Sequence, residues 1–351
     1  MKRLLALLAL MAAVQTVLGC TSMIVSGRAS DSGRPLLWKH RDTGADNNFL
    51  ARVEPTDSTL GYVALFNAGD SLLAEAWMGM NDAGLAIMNT ASYNLAPDTA
   101  AYKDREGAVM TLALRQCRSV DDFEHLLASL PRPMGVQANF GVIDAYGAAA
   151  YFETDDNGAV RYDVADTPDG VLVRTNYSVG GADGKGSGYI RCNTACRLTA
   201  DAVASHTVSP ATFTEGVSRS FYHSLTGHDY LAEGERFVAN QDFVPRDIST
   251  ASIVIEGVNP GYDPSETVMW AVLGYPPCSS VGRVTLTDIP ADFGPDLTGW
   301  RSSACDRARD LYRSAIPYPG GSGPRYLDLD VLRPIIVDMH RRSMQVYEKY
   351  R

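Results

Sequence analysis

The stretch Val17-Leu18-Gly19-Cys20-Thr21-Ser22-Met23-Ile24-Val25-Ser26-Gly27 constrains the fold more than any other. Before it, Lys2 and Arg3 make a short basic start, Leu4 to Val14 is unbroken apolar sequence, and Gln15 to Gly19 closes the run. Charged, apolar and small residues in that order are those of a secretory signal. The apolar run is short for a bilayer span. Small residues at Val17 and Gly19 allow cleavage before Cys20. From Thr21 the chain is β-branched and apolar, with no glycine or proline until Gly27, and this reads as a strand. The folded part is therefore expected to begin with a strand whose open end carries a cysteine. A lipid anchor on Cys20 is the alternative, but it lacks the polar tether that normally follows a lipidated cysteine.

Signal removal leaves 332 of 351 residues, of which 20–351 read as one domain with a helical extension from about 297. The chain is 45% hydrophobic, enough for a large core. Its formal net charge of −10, or −12 without Lys2 and Arg3, comes without basic clusters, which argues against nucleic acid. No later stretch approaches eighteen apolar residues, so no stable membrane insertion is expected. Glycine-rich segments at Gly180–Gly188 and Gly320–Pro324 read as loops without phosphate-binding spacing.

Strand-like runs occur at Thr21–Ser26, Pro35–Lys39, Gly61–Phe66, Gly84–Asn89, Asn139–Asp144, Ala148–Glu153, Gly170–Arg174 and Thr250–Glu256. Helical patterns cover Ala108–Cys117, Val120–Ser129, Tyr189–His206 and Val331–Tyr350. Short strands at hairpin spacing, with helices apart from them, predict an α+β fold with antiparallel sheets.

A cysteine made N-terminal by cleavage carries its own base, since an α-amine has a pKa of about 7.7–8. That amine can take the thiol proton, directly or through one water. No histidine is required, and none of the six (His40, His125, His206, His223, His228, His340) forms a familiar dyad signature with Cys20. Of the other cysteines, Cys192 and Cys196 fall at i,i+4 on a predicted helix and read as two buried small residues. With Cys20 set aside, Cys117, Cys192, Cys196, Cys278 and Cys305 allow at most two disulfides, which export would permit. No ligand spacing suggests a metal, and no cofactor is expected.

"CTSMIV" followed by "GRPLLWKHRD" (Gly33 to Asp42) resembles the opening of the N-terminal-nucleophile hydrolases that cut linear amides. That group takes in choloylglycine hydrolases, acid ceramidase and the isopenicillin N acyltransferase-like (peptidase C45-like) enzymes. "GMNDAGLAIMN" (Gly79 to Asn89), "NFGVIDAYGAAAYFE" (Asn139 to Glu153), "VRTNYS" (Val173 to Ser178) and "VPRDISTASIVIEG" (Val244 to Gly257) are similar to further segments of the family in the same order.

The resemblance implies a four-layer αββα sandwich, two antiparallel sheets between helix layers. It implies Cys20 as nucleophile and Asp42 as the group holding its amine or thiol. Asn176 would donate to the oxyanion, worth about 3–4 kcal/mol. Asn89 would be a second polar contact, with Asn94 nearby as the competing position. Lys39 stands where many relatives carry arginine, which keeps the charge and loses the bidentate fork. Arg246 would bind an acidic or carbonyl group of the substrate. The implied partner is a small-molecule amide, with bile salts, N-acyl amino acids, short peptides and acyl transfer all open. Homo-oligomerisation stays open as well. The implied location is exported, periplasmic or extracellular. A non-catalytic surface lipoprotein is the competing function.

Overall fold

The computed structural model describes residues 19–317 and 326–350. The leader segment up to Leu18 and the Gly320–Pro324 loop lie outside the described residues.

The strands are β1 (Thr21–Val25), β2 (Leu36–Asp42), β3 (Asn48–Val53), β4 (Tyr62–Asn67), β5 (Met78–Asn81), β6 (Ala86–Ala91), β7 (Ala138–Ile143), β8 (Ala149–Thr154), β9 (Ala159–Asp163) and β10 (Val171–Arg174). Next come the short pairs formed by β11 (Tyr222–His223) with β12 (His228–Asp229), and by β13 (Phe237–Ala239) with the later β17 (Tyr326–Asp328). The chain then adds β14 (Ser249–Glu256), β15 (Val268–Leu273) and β16 (Gly282–Val284). Helices are α1 (Glu106–Gln116), α2 (Val120–Ser129), α3 (Tyr189–Ala204), α4 (Ser303–Ser314) and α5 (Leu329–Lys349).

Two large antiparallel sheets result. One runs β10-β1-β2-β14-β15-β16, and the other is the meander β3-β4-β5-β6-β7-β8-β9. Each strand sends alternate side chains to opposite faces. The facing sides interdigitate through Ile24, Leu37, Leu65, Met88, Tyr151 and Ile253. The meander's outer face, with Phe66, Ile87 and Phe140, is covered by Met110 of α1 and Phe123 of α2. The first sheet's outer face, with Met23, Trp38 and Trp270, packs against Ala195 of α3 and Tyr347 of α5. This is the four-layer αββα sandwich that the resemblance implies. The N-terminal end of α4 brings Ala304 and Cys305 into the inter-sheet cluster. Fully burying a large apolar side chain contributes about 1.5–3 kcal/mol, so this double-sided burial dominates the fold's stability.

The Gly79–Asn89 segment earns its shape from one side chain. Asn81 Oδ1 accepts from Ala83 N and Leu85 N, each at 3.1 Å, and Gly84 takes φ +81°. That left-handed backbone suits glycine, and a Cβ there would meet Ala145 Cβ at 2.8 Å. Asn81 Nδ2 donates onward to Leu114 O and Cys117 O, tying the β5–β6 hairpin to the end of α1.

β2 is buried along its whole length. Its alternation puts Leu37, Lys39 and Arg41 toward the second sheet, and Leu36, Trp38, His40 and Asp42 toward the helices. The four-residue polar run Lys39-His40-Arg41-Asp42 therefore serves two different faces at the strand's end. β1 pairs with β2 in the register Thr21↔His40 and Ser22↔Lys39. Cys20 is one step beyond this pairing, at the same end of the sandwich.

Candidate active site

Cys20 is half-buried in the wall of a cavity of about 590 Å³. Lys39, Asp42, Asn89 and Asn176 line the same cavity, so with Cys20 residues from four separate segments converge there. Asn94 does not line it. Its side chain instead closes the 92–94 loop onto Ser178, accepting from Ser178 N at 2.7 Å and donating to Ser178 O at 2.9 Å.

The Asp42 carboxylate points away from the thiol. Its Oδ2 accepts from Arg246 Nε at 2.9 Å and Nη2 at 2.6 Å, and its Oδ1 accepts from Ser249 Oγ at 2.6 Å. The Cys20 thiol is instead placed against the Asp42 backbone carbonyl, 3.9 Å from Sγ. Arg246 likewise differs from its expected placement. Its guanidinium is taken up by Asp42 and by the Gly19 carbonyl, 3.0 Å from Nη2. It holds Asp42 and is not among the residues that line the cavity, and cleavage before Cys20 would release its bond to Gly19. Removing one partner of such a buried pair costs about 3–5 kcal/mol, because the other charge is left uncompensated.

His40 belongs to the same outward-facing cluster. Its Nε2 lies 2.9 Å from Ser249 Oγ and 3.7 Å from Asp42 Oδ1. Burial pushes its pKa down to about 4 against the pull of Asp42, so the imidazole is neutral near pH 7.

Asn176 is fully buried and already engaged. Its Nδ2 donates to Ala91 O at 2.9 Å, which leaves the second amide hydrogen. Its Oδ1 accepts from Arg191 Nη2 at 2.7 Å. Arg191 Nη1 also donates to Cys20 O at 2.7 Å and Thr21 Oγ1 at 2.9 Å. One guanidinium, on the first turn of α3, thus fixes both the cysteine's backbone and the asparagine's orientation. Gly19 is wedged among the same groups. A Cβ there would lie 2.4 Å from Asn176 Oδ1 and 2.7 Å from Nη2 of both Arg191 and Arg246.

Lys39 Nζ donates to Asn89 Oδ1 at 2.7 Å and to Trp77 O at 2.8 Å. Burial pushes its pKa down to about 7, opposed by the negative charge Cys20 carries as a thiolate. Arg41, beside it on the inner face, is lowered to about 10 by burial.

Arg191, Ser249, His40 and Arg41 complete the site and were not among the expected residues. His40 and Arg41 lie inside the quoted opening motif, where strand alternation offered a signal. Ser249 lies inside the quoted Val244–Gly257 segment, and Arg191 lies in none of them. Among the described residues all six cysteines are free. Cys192 is buried and Cys196 is exposed, so the expectation of two buried small residues holds only for the first. No group of three or more His, Cys, Asp or Glu among the described residues could hold a metal ion, and no helix there is long and apolar enough to cross a membrane.

Residues 47–194 match the model of the family described as acyl-coenzyme A:6-aminopenicillanic acid acyl-transferase. The match takes in Asn89, Asn176 and Arg191, but neither Cys20 nor Lys39, Asp42 and Arg246. The sandwich, and this match over part of the chain, agree with the resemblance to the N-terminal-nucleophile hydrolases. Within that class the matched segment is similar to the acyl-transferase family.

Among solved structures, a variant of the conjugated bile acid hydrolase from Clostridium perfringens is 11% identical, with a TM-score of 0.48 over 81% of this chain and 98% of that one. The N-acylethanolamine-hydrolyzing acid amidase ortholog of Caenorhabditis elegans is 12% identical, with a TM-score of 0.41 over 68% and 92%. Penicillin V acylase from Agrobacterium tumefaciens is 14% identical, with a TM-score of 0.41 over 77% and 87%. No curated protein sequence matches the chain.

Proposed function

We propose that this protein is an exported cysteine amidase whose nucleophile, Cys20, becomes N-terminal when residues 1–19 are removed. The observation that carries the reading is the position of Cys20: it opens β1 in the wall of a cavity shared with Lys39, Asp42, Asn89 and Asn176. The family match across residues 47–194 supports amide chemistry.

In this mechanism the α-amine of Cys20 takes the thiol proton and Sγ attacks the amide carbonyl. The free hydrogen of Asn176 Nδ2 donates to the developing oxyanion. The ammonium then returns its proton to the leaving nitrogen as the C–N bond breaks. Water hydrolyses the resulting thioester, releasing a carboxylic acid and regenerating the thiol. An amine in place of water would make the same intermediate an acyl donor. Arg191 positions the Cys20 backbone and Asn176, and the Arg246–Asp42–Ser249 cluster fixes the end of β2 beside the sulfur.

Cys20→Ala tests the assignment. It should abolish amide cleavage and leave the unfolding midpoint close to wild type, whereas wild-type-like turnover would refute it. An extra residue held in front of Cys20 should also inactivate, because the amine becomes an amide and loses its basicity. Full activity with the extension in place would move the base elsewhere.

A further inference from the structure

The cavity holds two buried cations that the proposed chemistry leaves unexplained. Lys39 and Arg41 are 2% and 4% exposed, lie two apart on the inner face of β2, and both line the cavity with Cys20. Among the described residues no carboxylate comes within 4 Å of either. Their partners are neutral. Lys39 Nζ donates to Asn89 Oδ1 and Trp77 O. Arg41 donates to the side-chain oxygens of Asn48 and Asn67 and lies over the Trp77 ring, 5.0 Å from its centroid. An ammonium has three N–H groups and a guanidinium five, so both have donors left over. Trp77, in the same wall, leaves its Nε1–H without a partner.

Three of the chain's other buried or partly buried arginines are treated differently. Arg174, Arg219 and Arg246 each hold a carboxylate, from Glu153, Glu215 and Asp42. Arg191 also has only neutral partners, but three of its N–H groups are committed to the Cys20 carbonyl, Thr21 and Asn176, and its unpaired Nε is buried. Burying a cation without an anion is costly, and the lowered pKa values of Lys39 and Arg41 reflect that cost. Glu106 relieves it only in part, through its pull on Lys39. It lines the cavity, but its Oε1 accepts from Gln137 N at 2.9 Å, it makes no ion pair with Lys39 or Arg41, and burial pushes its pKa up.

We propose that Lys39, Arg41 and Trp77 form an anion subsite, and that the amide presented to Cys20 carries a carboxylate. This rests on the amidase reading of the cavity. The carboxylate can sit on the acyl part, as in a mono-amide of a dicarboxylic acid, or on the amine part, as in an N-acyl amino acid. Either supplies the planar, two-oxygen acceptor that a guanidinium beside an ammonium recognises.

The test uses three anilides and the processed protein: glutaryl-4-nitroanilide, pentanoyl-4-nitroanilide and N-pentanoyl-4-aminobenzoate. The first carries its carboxylate on the acyl side, the third on the amine side, and the second carries none. One charged probe should be cleaved with a kcat/KM at least tenfold above the neutral one, and the better of the two reports which side the carboxylate occupies. That preference should fall below threefold in Lys39→Met and in Arg41→Gln, with folding checked by circular dichroism. Calorimetric binding of the same probes to Cys20→Ala separates recognition from turnover. At least tenfold tighter binding of a charged probe upholds the subsite even if the wild type cleaves nothing, an outcome that would refute only the amidase reading. Equal affinities, or no measurable binding of either charged probe, overturn the subsite whatever the wild type cleaves.

Discussion

Replacing Lys39 with methionine should stabilise this protein while it damages the site. The side chains are similar in length, and the substitution removes an ammonium that burial holds at a pKa of about 7, against an ordinary 10.5. A proton that binds this much more weakly in the folded state costs about 5 kcal/mol of stability at or below pH 7. The loss of donors to Trp77 O and Asn89 Oδ1 offsets part of the gain, at about 1–1.5 kcal/mol for each acceptor. The net expectation at pH 7 is a gain of about 2 kcal/mol.

The pH dependence gives the sharper signature. Between pH 7 and 10.5 the unfolded lysine binds a proton and the folded one does not, so wild-type stability rises with pH across that window. The methionine variant lacks this rise. Its advantage should shrink above pH 7, vanish at about pH 9 and become a deficit beyond. Urea unfolding of both proteins from pH 6 to 10 measures it. A variant that is less stable than wild type at pH 7, by an amount that does not change with pH, would refute the buried-ammonium argument.

His40 predicts a second window. Its imidazole is neutral when folded and binds more protons when unfolded between pH 4 and 6.5, so it should remove about 3 kcal/mol as pH falls through that range. His40→Gln should flatten the difference by that amount in urea titrations, and an unchanged slope would show that the histidine is not the group responsible. Asn176→Ala should lower kcat and kcat/KM together by roughly 10²–10³, as expected for a donor used in the transition state. A nearly normal kcat would leave the oxyanion to Asn89 or a backbone N–H.

The first sheet was legible because β1, β10 and β14 are rich in β-branched residues and β2 opens on the apolar run Leu36-Leu37-Trp38 after a turn. β15 was not. Val268–Leu273 is apolar on both faces, and such a run has no period to separate strand from helix. α4 was hidden differently: Ser303–Ser314 is rich in charge, and only a narrow stripe including Ala304, Cys305 and Ala308 is buried. Within the site, Cys20, Lys39 and Asp42 could be read because one strand pair carries all three. The direction of the Asp42 carboxylate could not. It depends on Arg246 and Ser249, more than two hundred residues away and brought close by the pairing of β14 with β2. Arg191 was missed for the same reason, since only the packing of α3 aims it at Cys20.

The central claim is that Cys20 is the N-terminal residue and forms the acyl-enzyme. Intact and peptide mass spectrometry of the exported protein, acid-quenched during turnover of a glutaryl or pentanoyl anilide, tests it directly. The account predicts a chain beginning at Cys20 with a free amine, and an acyl adduct on its N-terminal peptide that disappears as substrate is exhausted. A lipidated Cys20, a chain that keeps Gly19 while cleaving amides, or an adduct on any other residue would contradict it.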